Sequence, residues 1–184
     1  MKKYFVTTVL IFLHLFANAQ SDSLKPDIVF QSRKSTDFPN TIDSNLLPKP
    51  IGYLNDFENI FSPAEKKALD SMLVAYEMET MNDIVVITID SSVIRPELFY
   101  DFSLAICYKW GLGKRDLDNG ILICISKEMR LIQIQNGYGI SAVLDDVETK
   151  RIIDEEIIPY FRDGKFYEGV VNGVNVIEGK LTKR

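Results

Sequence analysis

Acidic and amide side chains are concentrated in two stretches of the sequence that we expect to lie close together in the fold. The first stretch contains Asp116, Asp118 and Asn119, and the second contains Asp145 and Asp146. Carboxylate and amide oxygens are the ligands that Ca²⁺ takes in proteins, about six to eight at a time. These side chains are therefore candidate ligands of a calcium-type site.

Each of these residues also has an ordinary local role, and the two interpretations are compatible. Asp145 precedes a helical pattern that it can cap, and Glu148 can return the bond as a capping box. Asp118 and Asn119 stand before Gly120 in a pattern typical of a turn that enters a strand. Several carboxylates at one end of a sheet would repel one another unless a positive charge neutralised them.

Histidine-dependent catalysis and histidine metal ligation are excluded from the mature protein that the sequence predicts. The only histidine, His14, lies in a segment typical of a secretory signal peptide, with a basic start, an apolar run at 4–16 and small residues at 17–19. The apolar run is short for a membrane span. We expect residues 1–19 to be cleaved before Gln20, which gives a periplasmic or secreted protein.

The charge balance argues against nucleic acid as a partner. Cleavage would leave 19 basic and 26 acidic residues, a formal net charge of −7. A protein that binds nucleic acid normally presents a basic patch or stripe. What remains is carboxylate chemistry, for which Asp118 and Asp146 are the first candidates.

Apolar periodicity predicts the elements that must position these residues. A hairpin should bring the residues before its first strand and after its second strand to the same end of the sheet, and a right-handed helical crossover should make the second and third strands parallel. The result is an α/β layered sandwich, Rossmann-like, with a mixed β-sheet of about four strands flanked by helices. The predicted strands are 51–55, 84–89, 121–125 and 131–134, and the predicted helices are 63–76, 97–110, 146–160 and 166–181.

The remaining organisation is simple. Residues 20–50 are polar and contain four prolines, which predicts a flexible linker. Residues 51–184 suit one domain, and we find no apolar run near the C-terminus that could span a membrane. Cys107 falls in a predicted helix and Cys124 in a predicted buried strand, so a disulfide between them is possible. Their apolar neighbourhoods favour the alternative, in which both remain buried free thiols.

Short motifs throughout 51–182 resemble one known family in their order and spacing. The motifs are Asn55-Asp56 ahead of a helix at Ser62, Tyr100-Asp101-Phe102 leading to Trp110-Gly111-Leu112-Gly113, Asp118-Asn119-Gly120, Arg130, Gly137-Tyr138-Gly139 followed by Asp146, and Ile158-Pro159 followed by Phe161 and Gly169. This pattern resembles the TPM domain, the module of thylakoid acid phosphatase, photosystem II repair proteins, bacterial envelope proteins and an accessory subunit of acetylcholine receptors.

The resemblance implies calcium in some members and adds Asp56 as a candidate catalytic residue. Parallel pairing of the first two strands would place Asp56 at the sheet end opposite Asp118, where it could simply cap a turn. One departure concerns Ser141, which stands where the family usually has a glutamate. The carboxylate missing there weakens any metal or catalytic role at that position.

Two hypotheses for the function follow. The first is an exported TPM-domain protein that acts as a calcium-binding accessory module of the cell envelope, in complex with a membrane protein. The alternative is a metal-dependent acid phosphatase acting on phosphomonoesters, with Asp118 or Asp146 polarising or attacking phosphate. The phosphatase hypothesis is weakened because the sequence shows no group of basic residues that could bind phosphate beyond Lys114, Arg115 and Arg130.

Overall fold

The apolar runs of the sequence form a four-stranded mixed sheet within the part of the chain that the computed structural model describes, residues 39–114 and 116–182. The strands lie side by side in chain order. The first three are parallel and the fourth is antiparallel to the third. The parallel pairing of the second and third strands and the antiparallel hairpin confirm the sequence prediction. The strands are β1 (Leu54–Asp56), β2 (Asp83–Thr88), β3 (Gly120–Ser126) and β4 (Leu131–Asn136).

The register determines which loops meet. Asp83 pairs with Gly120 at the start of β2 and β3, and Ile121 pairs with Asn136 at the end of β4. The start of β3 and the end of β4 therefore share one end of the sheet. The first strand is shorter than the predicted 51–55, because the Asn55 amide oxygen accepts the Ile51 N–H at 2.7 Å and curls the preceding segment into a turn.

Helix α1 (Pro63–Thr80) begins where the sequence predicted. The Ser62 hydroxyl accepts the Glu65 N–H, and the Glu65 carboxylate accepts the Ser62 N–H at 2.7 Å. This reciprocal pair satisfies two N–H groups that the first turn of a helix leaves unpaired. Helix α2 (Phe99–Trp110) follows a short 3₁₀ turn and ends at Gly111, whose φ of 66° suits glycine.

The C-terminal third of the chain forms α3 (Asp146–Arg151), a π-helical turn (Ile152–Ile157), α4 (Ile158–Arg162) and α5 (Phe166–Leu181). The sequence predicted the first three as one α-helix. Pro159 has no N–H to donate to the preceding turn and its ring crowds that turn, which widens the helix. Asn172 of α5 donates to the Glu156 carbonyl at 2.9 Å and so satisfies an acceptor that the widened turn releases.

Each face of the sheet is covered by its own apolar layer, and β3 contributes to both by alternation. Ile121, Ile123 and Ile125 point into the layer formed with α1 and α5. Leu122 and Cys124 point into the layer formed with α2. Burial on both faces explains why this strand reads as a continuous apolar run.

The packed unit begins before residue 51. Residues 20–38 of the predicted linker lie outside the described residues, but residues 39–50 rest on the α2 layer. Ile42 and Leu47 are each only 8% exposed, and the Trp110 indole N–H donates to the Pro48 carbonyl at 2.9 Å. The described part of this segment is therefore part of the fold.

Both cysteines are free thiols and lie in the α2 layer. Removal from water raises the pKa of Cys107 to about 12 and also raises the pKa of Cys124, so both are protonated at neutral pH. Within residues 39–114 and 116–182, no helix combines the length and the apolar character that crossing a membrane requires.

Candidate functional site

The loop before β3 and the loop after β4 are in direct backbone contact. The Gly139 N–H donates to the Asp118 carbonyl at 2.9 Å, and the Gly137 N–H donates to the Gly120 carbonyl at 2.9 Å. This contact confirms the hairpin argument, which placed the two loops at the same end of the sheet.

Gly137 and Gly139 are needed for this contact because their lack of a side chain lets two backbones approach. A Cβ at Gly137 would overlap the Asp118 carbonyl oxygen, and a Cβ at Gly139 would overlap the Leu117 carbonyl oxygen. The opposing atoms are backbone atoms and cannot turn away. The close approach of the two loops therefore explains the Gly-Tyr-Gly motif.

Asn119 connects this junction to the rest of the sheet end. Its amide oxygen accepts the Lys114 N–H at 2.8 Å, and its amide nitrogen donates to the Met81 carbonyl at 2.7 Å and to Asn82 at 2.9 Å. The residue is 5% exposed. Asn119 therefore has a structural role at this end of the sheet, and its predicted role as a metal ligand stays a prediction.

Asp145 caps α3, as its alternative interpretation predicted. Its carboxylate accepts the Glu148 N–H at 2.8 Å. Glu148 does not return the bond; its carboxylate instead accepts from Arg151 at 2.9 Å and from Lys180 at 2.8 Å. The hydrogen bond from Arg151, followed by that from Lys180, lowers the pKa of Glu148.

Three other candidate carboxylates remain available at this end. Asp116, Asp118 and Asp146 are exposed, and their side chains have no hydrogen-bond or ion-pair partner among the described residues. Asp118 has a φ of 45°, a left-handed conformation that Asp tolerates. Over residues 39–114 and 116–182, no group of three or more acidic, histidine or cysteine side chains is arranged to hold a metal ion.

Lys114 is a described cation in the loop that leads to Asp116, and it is already paired. Its ammonium lies 2.5 Å from the Glu77 carboxylate and 3.5 Å from that of Asp83. The bond to Glu77, together with the charge of Asp83, raises the pKa of Lys114. Arg115 is outside the described residues.

Asp56 lies at the opposite end of the sheet, next to Thr88 at the end of β2. Its carboxylate accepts from the Thr88 hydroxyl at 2.6 Å, from the Lys66 ammonium at 2.9 Å and from the N–H groups of Ile60 and Phe61. Its side chain is only 2% exposed. Asp56 therefore holds the turn before α1, as its alternative interpretation predicted, and its candidate catalytic role stays a prediction.

Burial alone would raise the pKa of Asp56. The hydrogen bonds from Thr88 and Lys66, with those from the backbone, outweigh burial and lower the pKa. The carboxylate is therefore ionised throughout the neutral range, as a structural anion should be.

Asn136 is a site residue that the sequence analysis missed. Its amide nitrogen donates to the Leu144 carbonyl at 3.1 Å and to the Thr149 hydroxyl at 2.7 Å, which joins the end of β4 to α3. Its amide oxygen is a buried acceptor without a partner among the described residues. An asparagine at the end of a strand just before Gly137 was the available signal.

The fold and this loop junction define an α/β sandwich protein with a rigid, acidic loop face at one end of a mixed sheet. Residues 54–180 match the family model of the TPM domain, and the chain belongs to that family. No match was found among curated proteins.

Two solved structures share the fold. One is the N-terminal domain of a protein from P. gingivalis, with 27% identity, a TM-score of 0.63, and coverage of 76% of this chain and 88% of that chain. The other is the BA42 protein of the psychrophilic bacterium Bizionia argentinensis, with 24% identity, a TM-score of 0.60, and coverage of 69% and 85%. At that identity the second shows the fold alone.

Proposed function

We propose that this chain is an exported interaction module of the cell envelope that binds calcium at the junction of the loops at 116–119 and 137–146. The observation that carries the proposal is the Gly139–Asp118 backbone bond, since it fixes two acidic loops against each other. A site built on a fixed backbone costs less ordering entropy than one formed between two mobile loops.

The donor chemistry fits calcium, and the arrangement of the side chains fits it only in part. Asp116, Asp118 and Asp146 are exposed carboxylates of the type calcium prefers. Asn119 and Asp145 are engaged in the fold, so water and backbone carbonyls would have to supply the other oxygens. A site with few charged ligands should be weak, with a Kd of about 10⁻⁴ to 10⁻³ M, the range of extracellular calcium modules.

Thermal unfolding with calcium tests this proposal. A ligand at about 100 times its Kd stabilises the folded state by about 2.7 kcal/mol. Asp118→Asn and Asp146→Asn should remove most of the calcium-dependent rise in Tm. Asp163→Asn makes the same change in charge in the remote loop between α4 and α5, and should leave the rise intact. Equal responses in all three variants would place any calcium site elsewhere.

Two contacts weigh against the acid phosphatase alternative. Lys114 is held by Glu77 and Asp83, and Arg130 lies in the β3–β4 turn, at the other end of the hairpin from Asp118. Lys150, four residues after Asp146 in α3, is paired with Asp154. A phosphoryl group beside the acidic loops would therefore have to displace carboxylates from these lysines in order to bind them. Turnover of a chromogenic phosphomonoester by the wild type, lost in both Asp118→Asn and Asp146→Asn, would reverse this ranking.

Export and a membrane-protein partner remain proposals that rest on the sequence. The predicted signal peptide, residues 1–19, is outside the described residues. Mass spectrometry of the exported protein should find Gln20 as the first residue. Recovery of residues 1–19 on the exported protein would contradict this processing.

A further inference from the structure

Large apolar side chains are exposed around the acidic loops, although apolar residues of this size are usually buried. The exposed fractions are 61% for Met81, 49% for Leu117, 53% for Tyr138 and 78% for Val147. They come from four separate segments of the chain. Single exposed apolar residues are ordinary, but a group on one surface marks an interaction site.

Hydrogen bonds connect these segments, some between two backbone groups and some from an asparagine side chain to a backbone carbonyl. Asn119 binds the carbonyl of Met81, and the Gly139 N–H binds the carbonyl of Asp118, next to Leu117. Asn136 binds the carbonyl of Leu144, just before α3 and Val147. The apolar side chains are therefore carried on one connected frame, which we call the acidic apolar face.

The charge on this face is negative. Asp116, Asp118 and Asp146 are exposed beside the apolar side chains, and Glu79 is exposed on the last turn of α1. The described cations beside these segments are paired with carboxylates, Lys114 with Glu77 and Asp83 and Lys150 of α3 with Asp154; Arg115 is outside the described residues. A partner that covers the apolar groups must therefore bring positive charge to the rim.

We propose that the acidic apolar face binds a basic, amphipathic segment of a partner protein. Apolar side chains of that segment would cover Met81, Leu117 and Tyr138, while its lysines or arginines would face the aspartates. Methionine and tyrosine suit such a surface, because methionine adapts its shape and tyrosine supplies large contact area. An anionic membrane surface would be repelled by the aspartates, and so would a second copy of the same face.

This inference deepens the proposed function by naming the chemistry of the partner, and it rests on the interaction role rather than on calcium. The probe is a fluorescein-labelled synthetic peptide of Lys, Leu and one Trp at amphipathic helical spacing. A matched peptide carries Glu in place of every Lys. Fluorescence polarisation with the exported protein should show saturable binding of the Lys peptide, weakened by added salt, and no binding of the Glu peptide.

Paired variants locate the binding surface. Leu117→Ser with Tyr138→Ser should raise the Kd of the Lys peptide by about ten-fold or more, since anchor residues dominate such interfaces. Val93→Ser with Tyr160→Ser removes two apolar side chains that are 44% and 36% exposed elsewhere, and should change the Kd by less than about two-fold. All four positions are exposed, and matching unfolding curves would show that both double variants fold.

Outcomes for the two proposals can be told apart. Lys-peptide binding in chelator that is lost only in the Leu117/Tyr138 variant supports this inference even if calcium never shifts the Tm. Equal binding by both double variants overturns the inference while leaving the calcium result untouched. Two other results would also overturn the inference: binding to anionic lipid vesicles that the Leu117/Tyr138 variant loses, and self-association in sedimentation that the same variant loses.

Discussion

At the scale of single residues, asparagines hold the loop end together while aspartates remain exposed on it. Asn119 makes three hydrogen bonds to the segments at 81–82 and 114, and Asn136 makes two to the segments at 144 and 149. Asp118 and Asp146 have no such side-chain partner among the described residues. Residues that build the site are therefore distinct from those available to a ligand.

Replacing Asn119 should test this division. Asn119→Ala removes three hydrogen bonds made by a buried side chain and leaves their partners, among them the Met81 carbonyl, without this bond, so we expect the free energy of unfolding to fall by about 2–3 kcal/mol. Asp118→Asn keeps a side chain that tolerates positive φ and should change it by less than about 0.5 kcal/mol. Urea denaturation measures both. A loss in Asp118→Asn as large as in Asn119→Ala would contradict the division.

Asp56 should contribute to stability in a pH-dependent way. Its pKa is lowered in the folded protein relative to the ordinary value of 3.8. Its contribution is therefore fully present above about pH 4 and is lost as the pH falls through the lower folded pKa. Asp56→Asn should be less stable than the wild type at neutral pH, and the difference should shrink as the pH falls below 4.

Chemical denaturation at a series of pH values measures this difference. Asp163→Asn serves as the control, because Asp163 is an exposed carboxylate in the loop between α4 and α5. A difference between wild type and Asp56→Asn that stayed constant down to pH 2.5 would show that hydrogen bonding to the ionised form is not what Asp56 contributes.

At the scale of elements, glycines have two different roles that the sequence alone could not separate. Gly139 lies against the Leu117 backbone, Gly169 lies against Phe161 and Gly173 lies against Ile157. Nothing lies within 4 Å of the position that a Cβ would take at Gly179 in α5. Within α5, Gly169 and Gly173 therefore permit close packing against the preceding helical segment, whereas Gly179 has no such contact.

Alanine substitution should separate these roles. Gly139→Ala forces a methyl group into a backbone carbonyl and should destabilise the fold by more than about 2 kcal/mol. Gly179→Ala adds a better helix former in open space and should stabilise it by about 0.5–1 kcal/mol. Thermal unfolding gives the sign of each change. Destabilisation by Gly179→Ala would reveal a contact that the structure lacks.

The order and direction of the elements could be predicted, because hydrophobic patterning and capping residues are local signals. β2 and β3 are continuous apolar runs, and α1 carries a full capping box at Ser62. The π-helical turn at 152–157 was missed. Pro159 was its local signal, but the Asn172 side chain of α5 that bonds to the Glu156 carbonyl is distant in sequence. The meeting of the two loops was predicted from the hairpin, whereas the structural role of Asn119 was not, because it depends on Met81, which is distant in sequence.

At the scale of the whole molecule, the two ends of the sheet differ in whether their carboxylates are buried or exposed. At the end that holds Asp56, the carboxylate is buried and bonded to Lys66 and to backbone N–H groups. At the end that holds Asp118, acidic and apolar side chains face solvent on a connected frame. The proposed calcium site and the proposed partner surface both lie at the second end.

The most direct test of that account is a titration of the ¹⁵N-labelled exported protein with calcium, followed by ¹H–¹⁵N NMR. The account predicts saturable shifts concentrated at residues 116–119, 137–141 and 145–147, with little change around Asp56 and Lys66. The shifts should disappear in Asp118→Asn and persist in Asp163→Asn. Absence of saturable shifts up to about 10 mM calcium, well above the expected Kd, or shifts centred on the Asp56 end, would contradict it.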